Sequence, residues 1–135
     1  MRLGVWTTVL ALACFSLLGC AGDSNAGKVS GTVTLDGQPL KTGIIRFVPT
    51  DGRTATADGT ITDGKYEVAT PTGDKRVYIT APKVVGKQKA YENKPDSPVV
   101  DIVEELLPVR YNAQSELTYS VTAGGQSKNF ELTSK

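Results

Sequence analysis

The chain has no histidine, and its 135 residues include only two cysteines and one tryptophan. The absence of histidine excludes Ser-His-Asp and Cys-His nucleophilic arrangements, and also zinc or iron sites that depend on imidazole ligands. Glycine-rich phosphate loops and the Asp-x-Asp-x-Asp spacing of calcium loops are missing as well. The sequence therefore predicts no catalytic residue, no metal site and no cofactor, and we expect the protein not to be an enzyme.

An excess of charge of one sign is also missing. The chain has 15 Lys and Arg residues and 14 Asp and Glu residues, and removal of Arg2 with an amino-terminal signal would make the two counts equal. Because a balanced surface attracts neither polyanions nor anionic surfaces, nucleic acid is not expected as a partner.

No apolar run is long enough to cross a bilayer comfortably, because a spanning helix needs roughly 20 apolar residues. Gly4 to Leu18 is a shorter uncharged stretch after Met1-Arg2, which is typical of a secretory signal. Leu17-Leu18-Gly19-Cys20 is similar to the bacterial lipobox. That resemblance implies cleavage before Cys20, a diacylglycerol thioether on its sulfur and acylation of the freed amine. Two alternatives remain open, namely a secretory signal that is cut elsewhere and a disulfide to Cys14.

The lipoprotein interpretation divides the chain into three parts. Residues 1–19 form a signal peptide, residues 20–27 form a flexible tether without apolar anchors, and residues 28–135 form a single domain. The domain lacks cysteine, so it must be stabilised by burial and hydrogen bonds rather than by disulfides. We expect an exported protein that is anchored to the cell envelope through Cys20. Ala21 then favours the outer over the inner membrane if the cell has both.

From Lys28 onward, apolar and polar residues alternate, which is the pattern of half-buried strands. Asp-Gly pairs begin at positions 36, 51, 58 and 63, where they predict tight turns between strands. The pattern predicts an all-β fold, an antiparallel Ig-like or transthyretin-like β-sandwich of about seven strands. The inward-facing residues are predicted to include Val29, Val33, Tyr66, Val68, Val77, Ile79, Leu117, Tyr119, Val121, Phe130 and Leu132.

Two segments depart from the alternation. Residues 82–98 carry four lysines and three prolines with little periodicity, and we predict a long, mobile surface loop. Val99, Ile102, Val103 and Leu106 fit one helical face, although the run is also rich in β-branched residues. At most one short helix is expected at 99–107, ending at Pro108.

The order of several motifs resembles the carboxypeptidase regulatory-like domain, a transthyretin-like sandwich, in its small lipoprotein form from planctomycete-type bacteria. These motifs are "VSGTVTLDGQPL", "GIIRFVP", "TDGKYEV", "KRVYITAP" and "LLPVRYNAQSELTYSVTAGG", and together they cover nearly all of residues 29–132. The resemblance implies an accessory module of cell-surface or exported proteins, usually without catalysis of its own. It does not imply a ligand.

Carboxylates and tyrosines are the remaining candidates for chemistry. Asp36, Asp51, Asp58 and Asp63 suit a calcium cluster by their oxygen ligands, but each precedes glycine, so turn formation is favoured. Asp101, Glu104 and Glu105 are expected to form a solvated acidic face, with pairing to the nearby lysines as the alternative.

Tyr78 and Tyr91 are the candidate ligand contacts, because exposed aromatic rings can stack on sugars. Tyr111 is expected to be buried, with its hydroxyl bonded to backbone. The leading hypothesis is a lipid-anchored, non-catalytic binding or structural module of the cell envelope, whose partner is an envelope protein or a glycan. The alternative is a carbohydrate-binding module that uses Tyr78 and Tyr91.

Overall fold

A computed structural model describes residues 25–135, in which eleven strands and one 3₁₀ turn are formed. The predicted all-β class is therefore confirmed. The number of strands exceeds the predicted seven, because several are only two to four residues long. The strands are β1 (Ala26–Leu35), β2 (Gln38–Pro39), β3 (Thr42–Pro49), β4 (Ala57–Thr62), β5 (Lys65–Pro71), β6 (Gly73–Thr80), β7 (Pro82–Lys89), β8 (Val99–Glu105), β9 (Thr118–Val121), β10 (Gly124–Ser127) and β11 (Phe130–Leu132), with the 3₁₀ turn at Val109–Tyr111.

The main sheet runs in the order β10-β1-β5-β4-β3-β6-β9, and β2 and β11 also pair with β1. Most neighbours are antiparallel, but β1 pairs in parallel with β10 and with β11. β1 changes neighbours along its length, because residues 27–30 lie beside β10 and residues 33–35 lie beside β11. β1 begins at Ala26, so the last two residues of the predicted tether are already part of the sheet.

The core is built from one face of each long strand, as the alternation predicts. In β6, for example, Lys75, Val77 and Ile79 are completely buried, whereas Arg76 is exposed and Tyr78 is half-buried. The Tyr66 ring centroid lies 6.3 Å from that of Phe47 and 6.1 Å from that of Phe130, so aromatic contacts join β3, β5 and β11. The predicted inward positions are buried, except Leu117 and Tyr119, which are half-buried against the core.

Two Asp-Gly pairs form the tight turns that the sequence predicts. Asp36 and Gly37 have φ of 50° and 80°, and Asp63 and Gly64 have φ of 49° and 76°. Positive φ at both central residues is the type I′ geometry that suits a two-residue hairpin, and these turns join β1 to β2 and β4 to β5.

The prediction of a turn at Asp58-Gly59 is wrong, because both residues lie inside β4. The Asp58 carboxylate accepts two hydrogen bonds from the Arg46 guanidinium on β3, at 2.7 and 2.8 Å. This cross-strand partner is 12 positions away in the chain, so local turn chemistry could not reveal it.

The predicted loop at 82–98 and the possible helix at 99–107 are also corrected. Residues 82–89 form β7 and residues 99–105 form β8, and the two pair as an antiparallel hairpin with a bulge between Val84 and Gly86. Only residues 90–98 remain as a connection. The β-branched residues of β8 pair with β7 instead of forming a helical face, because strand pairing satisfies their backbone groups.

Candidate functional site

The β7–β8 hairpin, here called the arm (residues 82–105), is the most exposed part of the described chain. Its two strands form a separate two-stranded sheet, and neither pairs with any strand of the main sheet. No residue of either strand is buried. The rest of the described chain, here called the body, supports the arm at its base only.

The base of the arm is fixed by one carboxylate. Glu105 Oε1 accepts hydrogen bonds from the backbone N–H groups of Ala81 (2.8 Å) and Leu107 (3.0 Å). The Leu106 N–H donates to the Ala81 carbonyl at 3.1 Å. Ala81 and Leu107 are themselves buried in the core, so the two ends of the arm are tied to the body at defined positions.

The arm exposes apolar side chains that a folded domain normally buries. Val84, Val99 and Val103 are 53%, 63% and 53% exposed, and Val85 and Val100 are exposed as well. Exposed apolar groups that cluster on one element, rather than lie scattered, indicate a binding surface. The arm is therefore the strongest candidate for contact with a partner.

An open groove lies where the arm meets the body, with a volume of about 520 Å³. It is lined mainly by apolar side chains: Leu35, Pro39, Leu40, Ala81, Val84 and Leu106. The groove is open to solvent, and it extends the apolar surface of the arm towards β2.

The structure separates the two tyrosines that the sequence singles out. Tyr78 is half-buried on β6, where it lines a shallow groove with Arg46 and Asn112. Tyr91 is 60% exposed in the connection at the tip of the arm, with the Lys94 ammonium 5.4 Å from its ring centre. The two rings lie on different elements, and Tyr91 does not line the groove that contains Tyr78.

The remaining tyrosines have structural contacts. Tyr111 is buried, and its hydroxyl oxygen accepts a hydrogen bond from the Thr133 N–H at 3.0 Å, as the sequence predicts. The Tyr66 hydroxyl donates to the Lys128 carbonyl at 2.6 Å, and burial raises the pKa of Tyr66. The Tyr119 hydroxyl donates to the Gln126 side-chain oxygen at 3.0 Å.

The acidic residues do not form a metal centre in residues 25–135. Asp36 accepts hydrogen bonds from the Ser134 side chain and backbone, which hold the pKa of this carboxyl below its usual value. Asp51 accepts from the Arg53 N–H within its own turn, as predicted. Asp51 therefore stabilises its own turn, whereas Asp36 joins the turn after β1 to Ser134 near the end of the chain.

The acidic residues of β8 differ from one another. Asp101 lies 3.9 Å from Lys87 across the hairpin, and both side chains are largely exposed. This contact agrees with the alternative that the acidic residues pair with the lysines. Glu105 instead accepts the hydrogen bonds at the base of the arm, a role that the sequence does not reveal.

Lys75 is fully buried, although lysine is rarely found in a protein interior. Lys75 occupies an inward position of β6 with no exposed surface, and its ammonium donates to the Thr54 hydroxyl at 2.8 Å. Burial lowers the pKa of Lys75, and the charge of Asp51 acts in the opposite direction. The alternation in "DKRVYIT" carries the signal, because Lys75 shares its face with Val77 and Ile79.

Cys20, the predicted lipidation site, lies outside the described residues, and its modification stays a prediction. Among residues 25–135, no helix has both the length and the apolar character needed to cross a membrane.

Comparison with known proteins adds little to this picture. No protein-family model matches the chain, and no curated protein sequence matches it. Among solved structures, the chain is similar to part of a 9R-lipoxygenase from Cyanothece PCC8801, with 10% identity and a TM-score of 0.33. The match covers 81% of this chain but 16% of the lipoxygenase.

Proposed function

We propose that this protein is a lipid-anchored, non-catalytic module of the cell envelope that binds a partner through its arm. The observation that carries the proposal is the contrast between a well-buried body and an arm with no buried residue. A hairpin that is held at its base and exposes five valines is stabilised little by its own burial. Contact with a partner explains why such a surface is maintained.

The anchor is proposed from the lipobox-like "LLGC" that ends at Cys20. Acylation of both the sulfur and the amine would supply several fatty chains, and several chains hold a protein on a membrane far better than one. The sorting rule for residue 21 favours the outer membrane in a cell with two membranes. The carboxypeptidase regulatory-like resemblance supports the same assignment, since those domains are accessory modules of exported proteins.

Mass spectrometry of the native chain tests the anchor. We expect the amino-terminal residue to be Cys20 with acyl groups on sulfur and amine, and the protein to fractionate with membranes. A Cys20→Ala variant should lose both properties, whereas Cys14→Ala should retain them because Cys14 leaves with the signal. An unmodified Cys20 thiol in the wild-type chain would contradict the anchor.

Shortening the arm tests whether the arm carries the binding function. Replacement of residues 84–103 by Asn-Gly joins Lys83 to Glu104 through a tight turn and retains Glu105 at the base. The body should stay folded, because the arm contributes no residue to the core. The variant should lose the crosslinked partners that the intact chain captures in living cells. Retention of the same crosslinks would show that the body, not the arm, binds them.

Carbohydrate binding is the second candidate, and the 60% exposure of Tyr91 favours it. A sugar could stack on this ring beside the Lys94 ammonium. Tyr78 would have to act separately, since it lies in another groove. Glycan-array binding that is lost in Tyr91→Ala but retained in Tyr111→Phe would support this function, and absence of glycan binding by the wild-type chain would reject it.

A further inference from the structure

The two strands of the arm carry opposite charges. β7 contains three lysines and no acidic residue, and β8 contains three acidic residues and no basic residue. Neither strand pairs with a strand of the body, and no residue of either strand is buried. A surface that matches the arm must therefore present negative charge beside β7 and positive charge beside β8. A second copy of the arm, turned over, has this distribution.

Strand register divides the arm into two faces. Residues directly opposite each other in a hairpin point to the same side, and successive residues alternate. The pairs Val84–Val103, Lys87–Asp101 and Lys89–Val99 therefore share one face, here called the valine face. The pairs Lys83–Glu104, Gly86–Ile102 and Gln88–Val100 share the other, here called the opposite face.

We propose that two copies of this chain associate by stacking the valine faces of their arms around a twofold axis parallel to the strands. This rotation places β7 of one copy over β8 of the other at the same height along the hairpin. Each residue of one arm pairs with a residue across its own hairpin. In the dimer, it also faces the copy of that same residue in the second chain. Val84 packs on Val103 of the second copy, and Lys87 lies over Asp101 of the second copy.

The apolar and charged residues of the valine face are both satisfied by this arrangement. Its three valines are each more than half exposed in the single chain and become covered. Lys87 meets Asp101 of the second copy, on a strand that carries only acidic charges, and Lys89 lies over Val99 of the second copy. The contact is isologous, so it closes at two copies.

Association through the strand edges fits the charges and the need for closure less well. A twofold contact of β7 with β7, or of β8 with β8, brings like charges together. A contact of β7 with β8 pairs opposite charges, but it leaves one free edge at each end and continues without closing. Face-to-face stacking is the arrangement that satisfies the charges and also closes.

The interface is small. A seven-residue strand pair is about 24 Å long and about 10 Å wide, so each face offers about 240 Å² of footprint, against roughly 800 Å² per partner in stable complexes. The dimer should therefore be weak in dilute solution. Confinement of both copies to one membrane raises their effective concentration, and this last step alone rests on the proposed anchor.

A charge-reversal pair tests the contact without ambiguity. Lys87→Asp makes positions 87 and 101 both acidic, and Asp101→Lys makes both basic. A carbodiimide joins a carboxylate to an amine with loss of water, so neither variant can form an 87–101 link by itself. When the full-length variants are coexpressed, any such link must connect two chains. Mass spectrometry should find the linked peptide in the mixture and in neither variant alone.

The opposite face supplies the matched control, because Lys83→Glu and Glu104→Lys reverse a pair that the proposed dimer leaves apart. No 83–104 link should form when these two are mixed. Links at both pairs would indicate edge-to-edge association, and a link at 83–104 alone would indicate the opposite face. Either result, or no interchain link at all, would overturn the proposal.

A second measurement needs no substitution, in case charge reversal frays the hairpin. Equal amounts of ¹⁴N and ¹⁵N wild-type chains are combined and crosslinked, and 87–101 peptides with one light and one heavy half should appear. Their absence at high chain concentration would also overturn the proposal. The compartment in which the chain is found reports on the anchor independently, so failure of the anchor and failure of the dimer can be told apart.

Discussion

In β6, every second residue from Lys75 to Ile79 is completely buried, whereas in β8 no residue is buried, although both strands contain valine and isoleucine. The difference lies in what covers each strand. β6 has strands on both sides and one face in the buried core, and β8 has only β7 beside it. A strand-forming sequence therefore becomes stable core only where a second layer covers it.

The largest expected effect is the difference in lost stability between a substitution in the core of the body and one on the arm. Phe47→Ala should lower the free energy of unfolding by about 3–5 kcal/mol, because it leaves a cavity beside Tyr66 in the core. Val103→Ala on the arm should change it by less than about 0.5 kcal/mol. Urea unfolding of both variants measures the contrast, and equal losses would show that the arm is part of the cooperative fold.

A second prediction concerns close packing inside the body. A Cβ at Gly31 would lie 1.9 Å from the Lys128 carbonyl oxygen, so Gly31→Ala must push β1 away from the chain before β11. We expect a loss of about 1–3 kcal/mol in unfolding free energy, as in other overpacked sites. Gly125→Ala is the control, since nothing lies within 4 Å of its Cβ position. Similar denaturation midpoints for the two variants would contradict the packing at Gly31.

A third prediction removes one partly buried hydrogen bond. Tyr66→Phe deletes the hydroxyl that donates to the Lys128 carbonyl, and we expect a loss of about 1 kcal/mol. Tyr91→Phe at the tip of the arm should leave stability unchanged, because that ring is exposed. Thermal unfolding of both variants provides the comparison. A Tyr66→Phe variant as stable as the wild type would show that the hydrogen bond makes no net contribution to stability.

The smallest expected effect is a pH dependence that comes from Lys75. Because burial lowers its pKa in the folded state below the usual 10.5, the unfolded chain binds more protons between the two pKa values. Lys75 therefore makes stability rise as the pH approaches 10.5. The unfolding free energy of wild type and of Lys75→Met is measured as a function of pH, and the difference between the two should change across this range. Parallel pH curves for the two proteins would contradict the prediction.

The strands of the body were predictable because burial of one face imposes an alternation that is visible locally. Val77 and Ile79 show it, as do Phe130 and Leu132. The positive φ angles of Asp36 and Asp63 were predictable for the same reason, since turn chemistry lies within neighbouring residues.

The arm was not predictable in this way, because neither of its faces is buried. Val99, Ile102, Val103 and Leu106 have helical spacing, and only the pairing with a strand 10 to 23 positions earlier overrides it. The Asp58 contact with Arg46 and the Glu105 bond to the Ala81 backbone are likewise made between residues apart in sequence. Long-range pairing of this kind leaves no local pattern.

The position of β1 has a mechanical consequence. This strand is bonded on one side to β5 from Ala26 to Thr32 and on the other side to β10 from Gly27 to Ser30. A pull on the amino-terminal end acts along this strand, so both ladders are loaded in shear rather than opened one bond at a time. The bonds of the two ladders must therefore yield together before β1 can slide out of the sheet.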